Sequence, residues 1–245
     1  MINIIRNCAH FCDIITGIRT LAAGVPVSVV KKAFSKTGGA ALSREFQAVS
    51  RYCRLVKAGS DKNAINFTRR DSYGMLEMAF HEGFPGDYTV SLDRNKEKLL
   101  GLIDHYARFL LVEPFLSHGD LSISNVIFKE GRLQWIIDWE NANDIMPREY
   151  DLIYCVTENA LCSFARKGVL TGQEVAAYRF LFSEIEARIS IDPRAKRQPA
   201  VWCLDNAVYF RKSSGIEYRK CPFIAYNDTP DMRHIIRRLD ILLGV

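Results

Sequence analysis

The sequence lacks any apolar run long enough to cross a membrane. Its longest uninterrupted apolar stretches, such as residues 109–112 and 241–243, fall far short of the roughly 18 residues that a spanning helix needs. Near the N-terminus, Arg6 and Asp13 interrupt the chain before the apolar segment of a signal peptide could form. We therefore expect a cytoplasmic protein with no transmembrane segment.

The seven cysteines form no C-x-x-C pair and are odd in number, which is typical of reduced, packed thiols rather than of a disulfide framework. The sequence also lacks internal repeats, low-complexity tracts and linkers rich in proline or serine. Any division should therefore separate two lobes of one fold rather than independent domains. We place it between residues 1–82 and residues 83–245.

The first lobe is predicted to be rich in strands. Residues 25–34 contain many β-branched side chains and predict a strand, which Thr37-Gly38-Gly39 would end in a turn. Apolar residues from Leu42 to Cys53 then recur at helical spacing. Another short apolar run, residues 75–80, predicts a strand that leaves this lobe.

The second lobe is predicted to be mainly helical. Residues 126–128 and 133–139 form a predicted hairpin around a turn that contains Gly131. Thr171 is a predicted helix cap and Pro230 falls in a predicted first turn. The predicted helices cover residues 95–111, 149–166, 171–189, 199–210 and 229–243.

Two short segments on either side of this hairpin carry the chemically informative side chains. Residues 117–125 have the sequence SHGDLSISN, and residues 136–140 have the sequence IIDWE. Phosphoryl transfer needs a carboxylate to orient the attacking hydroxyl and accept its proton, and oxygen ligands that hold Mg²⁺ against the phosphates of a nucleotide. Asp120, Asn125 and Asp138 supply these groups. We expect the hairpin to bring the three side chains to one end.

These segments resemble the aminoglycoside phosphotransferase and choline kinase group, whose motifs are H-G-D-x-x-x-x-N and I-D-[WF]-E. The later Tyr150-Asp151-Leu152 is similar to an element that opens the next helix in that group. The resemblance implies an α+β fold of the protein-kinase-like type, with a small strand-rich N-terminal lobe and a mainly helical C-terminal lobe. It also implies ATP and Mg²⁺ as cofactors, Asp120 as the catalytic base, and Asn125 and Asp138 as metal ligands.

Two features point away from a protein kinase. Gly119 stands where protein kinases have arginine, and no Ala-Pro-Glu sequence follows Asp138.

The same resemblance implies a strand lysine that contacts the α- and β-phosphates and a helix glutamate that pairs with it. Glu45 has the expected order and distance along the chain. We prefer Lys31 as the lysine, but Lys32 stays open because neighbouring strand residues point to opposite faces of a sheet.

A glycine-rich phosphate loop is the one family element without a clear counterpart. Residues 16–24, with Gly17 and Gly24, are the only candidate. This weakness keeps open a pseudokinase-like binding protein that has lost effective nucleotide capture.

The positive charge of the chain is concentrated at its C-terminal end. Residues 193–245 contain ten Lys/Arg and five Asp/Glu, whereas the whole chain contains 33 and 28. An acidic pocket would suit a polycationic aminoglycoside, so this excess favours a neutral or anionic acceptor. We predict ATP-dependent transfer to a hydroxyl of a small molecule, for example a sugar of cell-envelope polysaccharide. An aminoglycoside or choline-type acceptor is the alternative, and we expect no nucleic-acid partner.

Overall fold

The structure is a computed structural model, and it describes residues 2–7, 14–21, 24–55, 65–70, 73–111, 113–214 and 230–244. The chain divides into two compact units. The first contains Met1–Glu82 together with Asp138–Ala142, and the second contains Gly83–Ile137 and Asn143–Val245. The segment that carries Asp138 therefore belongs to the same unit as Lys31 and Glu45.

The first unit contains an antiparallel five-stranded sheet with a helix packed against it. The elements are β1 (Ile2–Asn7), β2 (Ile14–Thr20), β3 (Pro26–Ala33), α1 (Lys36–Leu55), β4 (Ile65–Arg70) and β5 (Tyr73–Ala79). The strand order is β1-β2-β3-β5-β4, and α1 packs on β3, β4 and β5. Apolar side chains from the sheet and the helix, including Ile14, Leu42 and Leu76, form its buried core.

The prediction of a turn at Thr37-Gly38-Gly39 is wrong, because these residues lie in the first turn of α1. The helix begins earlier because Ser35 supplies acceptors for its first amides. The Gly38 amide donates to Ser35 Oγ at 3.0 Å, and the Gly39 amide donates to the Ser35 carbonyl oxygen at 2.9 Å. A serine that caps a helix in this way compensates for the low helix propensity of glycine.

The second unit contains a short sheet that includes the predicted hairpin. Its strands are β6 (Phe84–Pro85), β7 (Val126–Lys129) and β8 (Arg132–Ile136), in the order β6-β7-β8. The hairpin is formed by β7 and β8. Glu130 and Gly131 connect these two strands with φ angles of 51° and 76°, the two positive values of a tight type I′ turn.

The rest of the second unit is mainly helical. The helices are α2 (Leu92–Leu110), α3 (Tyr150–Lys167), α4 (Gly172–Glu186), α5 (Pro193–Arg197), α6 (Pro199–Ser214) and α7 (Pro230–Leu243). From Tyr150 to Phe164 the helix α3 is buried on almost every side, because α2, α4, α6 and α7 all pack on it. All five helices predicted for this region are present, and α5 is a described helix without a predicted counterpart.

These elements confirm the predicted α+β fold class, with an antiparallel sheet in one part and helices in the other. In the part of the chain that the structure describes, no helix is both long and apolar enough to span a bilayer.

The N-terminus of α4 is closed by a buried carboxylate. Thr171 accepts from the Glu174 amide at 3.2 Å, and Glu174 accepts from the Thr171 amide at 2.9 Å, so both members of a capping box are present. Ser163 and Lys167 of α3 also donate to Glu174. Burial alone would raise the pKa of Glu174, but these hydrogen bonds lower it to about 2. The carboxylate therefore joins α3 to α4 in its charged form.

We expect Glu174→Gln to lower the free energy of unfolding at pH 7 by about 2 kcal/mol, because the network loses its charged acceptor. Since the pKa is depressed in the folded state, this stabilisation is present above the unfolded value of about 4.5. The difference between wild type and variant should shrink as the pH falls from there towards about 2. Urea unfolding of both proteins at a series of pH values measures this difference in the free energy of unfolding. Glu97→Gln, at an exposed position, is the control, and an equal effect at both positions contradicts the prediction.

Candidate active site

The two candidate lysines of β3 have opposite environments. Lys31 is 4% exposed, whereas Lys32 is exposed and its ammonium group lies over the ring of Phe34. The difference follows from the alternation of side chains along a strand. Only Lys31 faces the helix α1.

Lys31 forms a buried ionic cluster with two carboxylates. Its Nζ atom donates to Glu45 Oε1 at 2.8 Å and to Oε2 at 2.9 Å, and it also bonds Asp138. Burial alone would lower the pKa of Lys31, but the charges of Asp138, Glu45 and Glu140 outweigh it and raise the pKa. Burial raises the pKa of Glu45 to about 7, against the opposing effect of Lys31. The lysine therefore stays charged and is shared between two acids.

Asp138 is held in this cluster by the turn that it opens. Its φ of 64° and ψ of 48° are left-handed, a conformation that aspartate tolerates better than most residues. The next residue, Trp139, is fully buried and packs on Tyr52 of α1 with ring centroids 5.2 Å apart. Arg44 Nε donates to the Glu140 carbonyl oxygen at 3.3 Å. The helix α1 thus supplies Glu45 and also anchors the turn that presents Asp138.

Asp120 and Asn125 lie together in the second unit, on the loop that leads into β7. The Asn125 Nδ2 atom donates to the backbone oxygen of Asp120 at 2.8 Å, and the Ser122 amide donates to the same oxygen at 2.9 Å. Because the amide nitrogen of Asn125 is engaged inside the loop, its Oδ1 atom is the one suited to bind a cation. The loop holds both candidate side chains at its own surface.

The carboxylate of Asp151 supports this loop from α3. Its Oδ2 atom accepts from the Tyr106 hydroxyl at 2.7 Å, the Ser117 hydroxyl at 2.8 Å and the His118 amide at 2.7 Å. Its Oδ1 atom accepts from the Gly119 amide at 2.9 Å. Gly119 has a φ of 80°, which a residue without Cβ adopts without strain. Asp151 therefore determines the backbone path immediately before Asp120.

The ring of His118 gives the loop a second support. Nδ1 accepts from the Asp120 amide at 3.3 Å, so the proton of the neutral ring lies on Nε2. Nε2 is 2.8 Å from the Ile137 carbonyl oxygen and donates to it. The Ile137 amide in turn donates to the Asn125 carbonyl oxygen at 2.9 Å. The two ends of the hairpin are thereby joined by hydrogen bonds.

Two residues beside Asp120 were not singled out by the sequence. The Tyr154 hydroxyl lies 3.2 Å from Asp120 Oδ1 and 3.3 Å from Glu158 Oε1. Burial, assisted by the charge of Asp120, raises the pKa of Glu158 well above its usual range. Their spacing of four residues was visible in the sequence, but α3 is apolar on so many sides that periodicity did not indicate a polar face.

The candidate phosphate loop is only partly a loop. Residues 14–20 form β2, and Gly17 pairs with both Ile4 and Val30 in the sheet. Residues 22 and 23 lie outside the described residues. The first half of the candidate segment is therefore strand, because a glycine in mid-strand is accommodated by pairing on both sides.

Comparison with known proteins supports the resemblance noted in the sequence. A family model described as "Phosphotransferase enzyme family" matches residues 45–187. The aminoglycoside phosphotransferase APH(3'')-Id from Streptomyces rimosus has a similar structure, with a TM-score of 0.54 and 12% identity, over 100% of this chain and 93% of that chain. This likeness establishes the predicted protein-kinase-like fold.

Two further solved structures are similar at lower scores. ADP-bound APH(2'')-Ib has a TM-score of 0.49 and 12% identity, over 98% of this chain and 92% of that chain. The gentamicin complex of APH(2'')-IIa has a TM-score of 0.48 and 13% identity, over 99% of this chain and 90% of that chain. No curated protein matches the sequence.

We expect Asp151→Ala to lower the free energy of unfolding by about 3 kcal/mol, since four buried donors would lose their acceptor. Amide hydrogen exchange at His118 and Gly119 should accelerate. Urea unfolding and exchange mass spectrometry measure the two effects. The exposed Asp144 provides the control variant Asp144→Ala. Unchanged exchange at the loop in Asp151→Ala would contradict the supporting role.

Proposed function

The chain belongs to the phosphotransferase enzyme family and is a small-molecule kinase, and from this premise we propose how its residues act and which acceptor it takes. Asp120 is the catalytic base, Lys31 binds the phosphates of ATP, and Glu45 orients Lys31. Asn125 and Asp138 are the metal ligands. The observation that carries the proposal is the buried lysine bonded to both Glu45 and Asp138, residues far apart in the sequence.

In the proposed reaction, the hydroxyl of the acceptor donates its proton to the Asp120 carboxylate. Its oxygen forms a bond to the γ-phosphorus of ATP, the bond from that phosphorus to the bridging oxygen breaks, and ADP leaves. Asp151 and the His118 ring hold the backbone amides of the two residues before Asp120 and of Asp120 itself. The base is therefore positioned before the acceptor arrives. Such positioning of reacting groups supplies much of the rate of an enzyme of this kind.

The residues present fit a magnesium ion. The Asp138 carboxylate and the Asn125 amide oxygen are hard oxygen donors of the kind that Mg²⁺ prefers, and Asn125 uses its nitrogen inside the loop. When bound, the ion would offset the negative charge of the phosphates. Lys31, already shared with Asp138, would contribute the second positive charge.

For the acceptor, we propose a neutral or anionic small molecule with a free hydroxyl, such as a sugar of cell-envelope polysaccharide. The support is the basic excess of residues 193–245, of which Arg197 and Arg237 are exposed. Part of this excess is neutralised, since Arg194 and Arg233 both bond Asp205. The remaining positive charge still disfavours a polycation.

The first test compares wild type and Asp120→Asn in the presence of Mg²⁺-ATP with neutral sugars, anionic sugars, amino alcohols and aminoglycosides. Phosphorus NMR identifies the product and ADP release gives the rate. We expect transfer to a neutral or anionic sugar, with kcat reduced about 10²- to 10⁴-fold in the variant, as for the loss of a general base. Preferred turnover of aminoglycosides would refute the acceptor class. Absence of Mg²⁺-ATP binding in wild type would favour a non-catalytic binding protein.

A second test separates the two lysines of β3. Lys31→Met should raise the KM for ATP about tenfold to a hundredfold, because a charge-assisted contact to phosphate is lost. Lys32→Met should leave the KM for ATP unchanged, since Lys32 is exposed and points away from Glu45. Steady-state kinetics over a range of ATP concentrations distinguishes them. Equal effects of the two substitutions would contradict the assignment of Lys31.

A further inference from the structure

A chain of three polar side chains leads from the interior of the second unit to Asp120. The Tyr154 hydroxyl is within hydrogen-bond distance of Asp120 Oδ1, at 3.2 Å, and of Glu158 Oε1, at 3.3 Å. Tyr154 and Glu158 are both on α3, four residues apart, so they lie on the same face of the helix. The three groups therefore form a continuous line that ends at the candidate base.

Both supporting side chains are buried, with Tyr154 1% and Glu158 5% exposed. Burial of a carboxyl group is unfavourable unless it is hydrogen-bonded. The backbone of the loop is already supported by Asp151, so this second buried acid is not needed to hold it. What Glu158 adds is a hydrogen bond to the Tyr154 hydroxyl, which touches the Asp120 side chain.

We propose that Tyr154 and Glu158 are positioning residues for phosphoryl transfer: the Tyr154 hydroxyl fixes the orientation of the Asp120 carboxylate, and Glu158 fixes that hydroxyl. The inference rests on the proposed role of Asp120 as the base. A carboxylate turns about its Cβ–Cγ bond unless an oxygen is held. A hydrogen bond to Oδ1 restricts this rotation and so keeps the carboxylate aligned with the acceptor hydroxyl.

The order of donors and acceptors along the line is consistent. A tyrosine hydroxyl donates one hydrogen bond and can also accept. Burial and the charge of Asp120 raise the pKa of Glu158, which favours its protonated form. Glu158 then donates to the Tyr154 oxygen, and Tyr154 donates to Asp120. In this order each hydrogen bond of the line joins one donor to one acceptor, as a buried network requires.

The chain offers a matched control for the tyrosine. Tyr178 is also fully buried, and its hydroxyl is 3.0 Å from Thr157 Oγ1 on the same helix α3. Replacing either tyrosine by phenylalanine removes one buried hydroxyl and keeps the ring. In Tyr154→Phe the stacking on Tyr150, with centroids 5.5 Å apart, is retained. The two variants therefore differ in whether the lost hydroxyl faces Asp120.

The test measures hydrolysis of Mg²⁺-ATP, with water as acceptor, and transfer to the best sugar acceptor. The proteins are wild type, Asp120→Asn, Tyr154→Phe, Tyr178→Phe, Glu158→Leu and Glu158→Gln. We expect Tyr154→Phe to lower kcat about tenfold in both reactions, the effect of one charge-assisted hydrogen bond. The KM for ATP should stay unchanged, and Tyr178→Phe should keep the wild-type kcat. Glu158→Leu should lower kcat about threefold, and Glu158→Gln should recover most of that loss.

These outcomes separate the inference from the proposed function. If Asp120→Asn is as active as wild type, the base assignment fails and the inference falls with it. A second outcome is that Asp120→Asn is inactive while Tyr154→Phe has the same kcat as the control Tyr178→Phe. In that case the assignment of Asp120 as the base survives and the positioning role of Tyr154 is overturned. Thermal unfolding of all the variants is measured in parallel. A lowered Tm without a lowered kcat in Tyr154→Phe shows a structural role only and also overturns the inference.

Discussion

The buried carboxylate of Asp151 is the constraint on which the second unit depends. The helix α3 is surrounded by other helices, so a charge placed on it has no access to bulk water. Such a charge must be satisfied by hydrogen bonds within the protein. Four donors meet this need, and three of them come from the loop that precedes Asp120. The geometry of the loop before Asp120 is thus a consequence of satisfying one buried acid with hydrogen bonds.

The first unit also buries a charge, but here the charge is positive. Lys31 is buried on a strand, and Glu45 and Asp138 compensate for its charge. Asp138 reaches the lysine because Trp139 is packed against Tyr52 of α1. Removing one partner of such a cluster is more destabilising than the net strength of the cluster suggests, because an unpaired buried charge remains. The turn that carries Asp138 and Trp139 is therefore held both by aromatic packing and by an ion pair.

The sequence predicted those features that depend on local patterns. Asp120, Asn125 and Asp138 were proposed as site residues because their side-chain chemistry and spacing are visible without knowledge of the fold. The hairpin between them was predicted from its glycine-containing turn. Lys31 and Lys32 could not be separated, because the buried face of β3 depends on where α1 packs. The early start of α1 was missed because its three residues after Lys36 suggested a turn, whereas Ser35 caps the helix.

Tyr154 and Glu158 were missed for a different physical reason. Hydrophobic periodicity identifies one apolar face of a helix, but α3 is buried nearly all round and carries several polar side chains among the apolar ones. The position of a polar residue on such a helix becomes informative only when its partners are known.

The charges around Lys31 also bear on the need for a metal. Lys31 is the cation that acts on Glu45, and the acids Asp138 and Glu140 lie close enough to affect the same pair. The acids of this cluster therefore outnumber its lysine. In the proposed function, a nucleoside triphosphate bound at Lys31 would add further negative charge, which Lys31 could not offset together with that of its own partners. A divalent cation held by Asp138 would offset this excess and leave Lys31 freer to contact the phosphates.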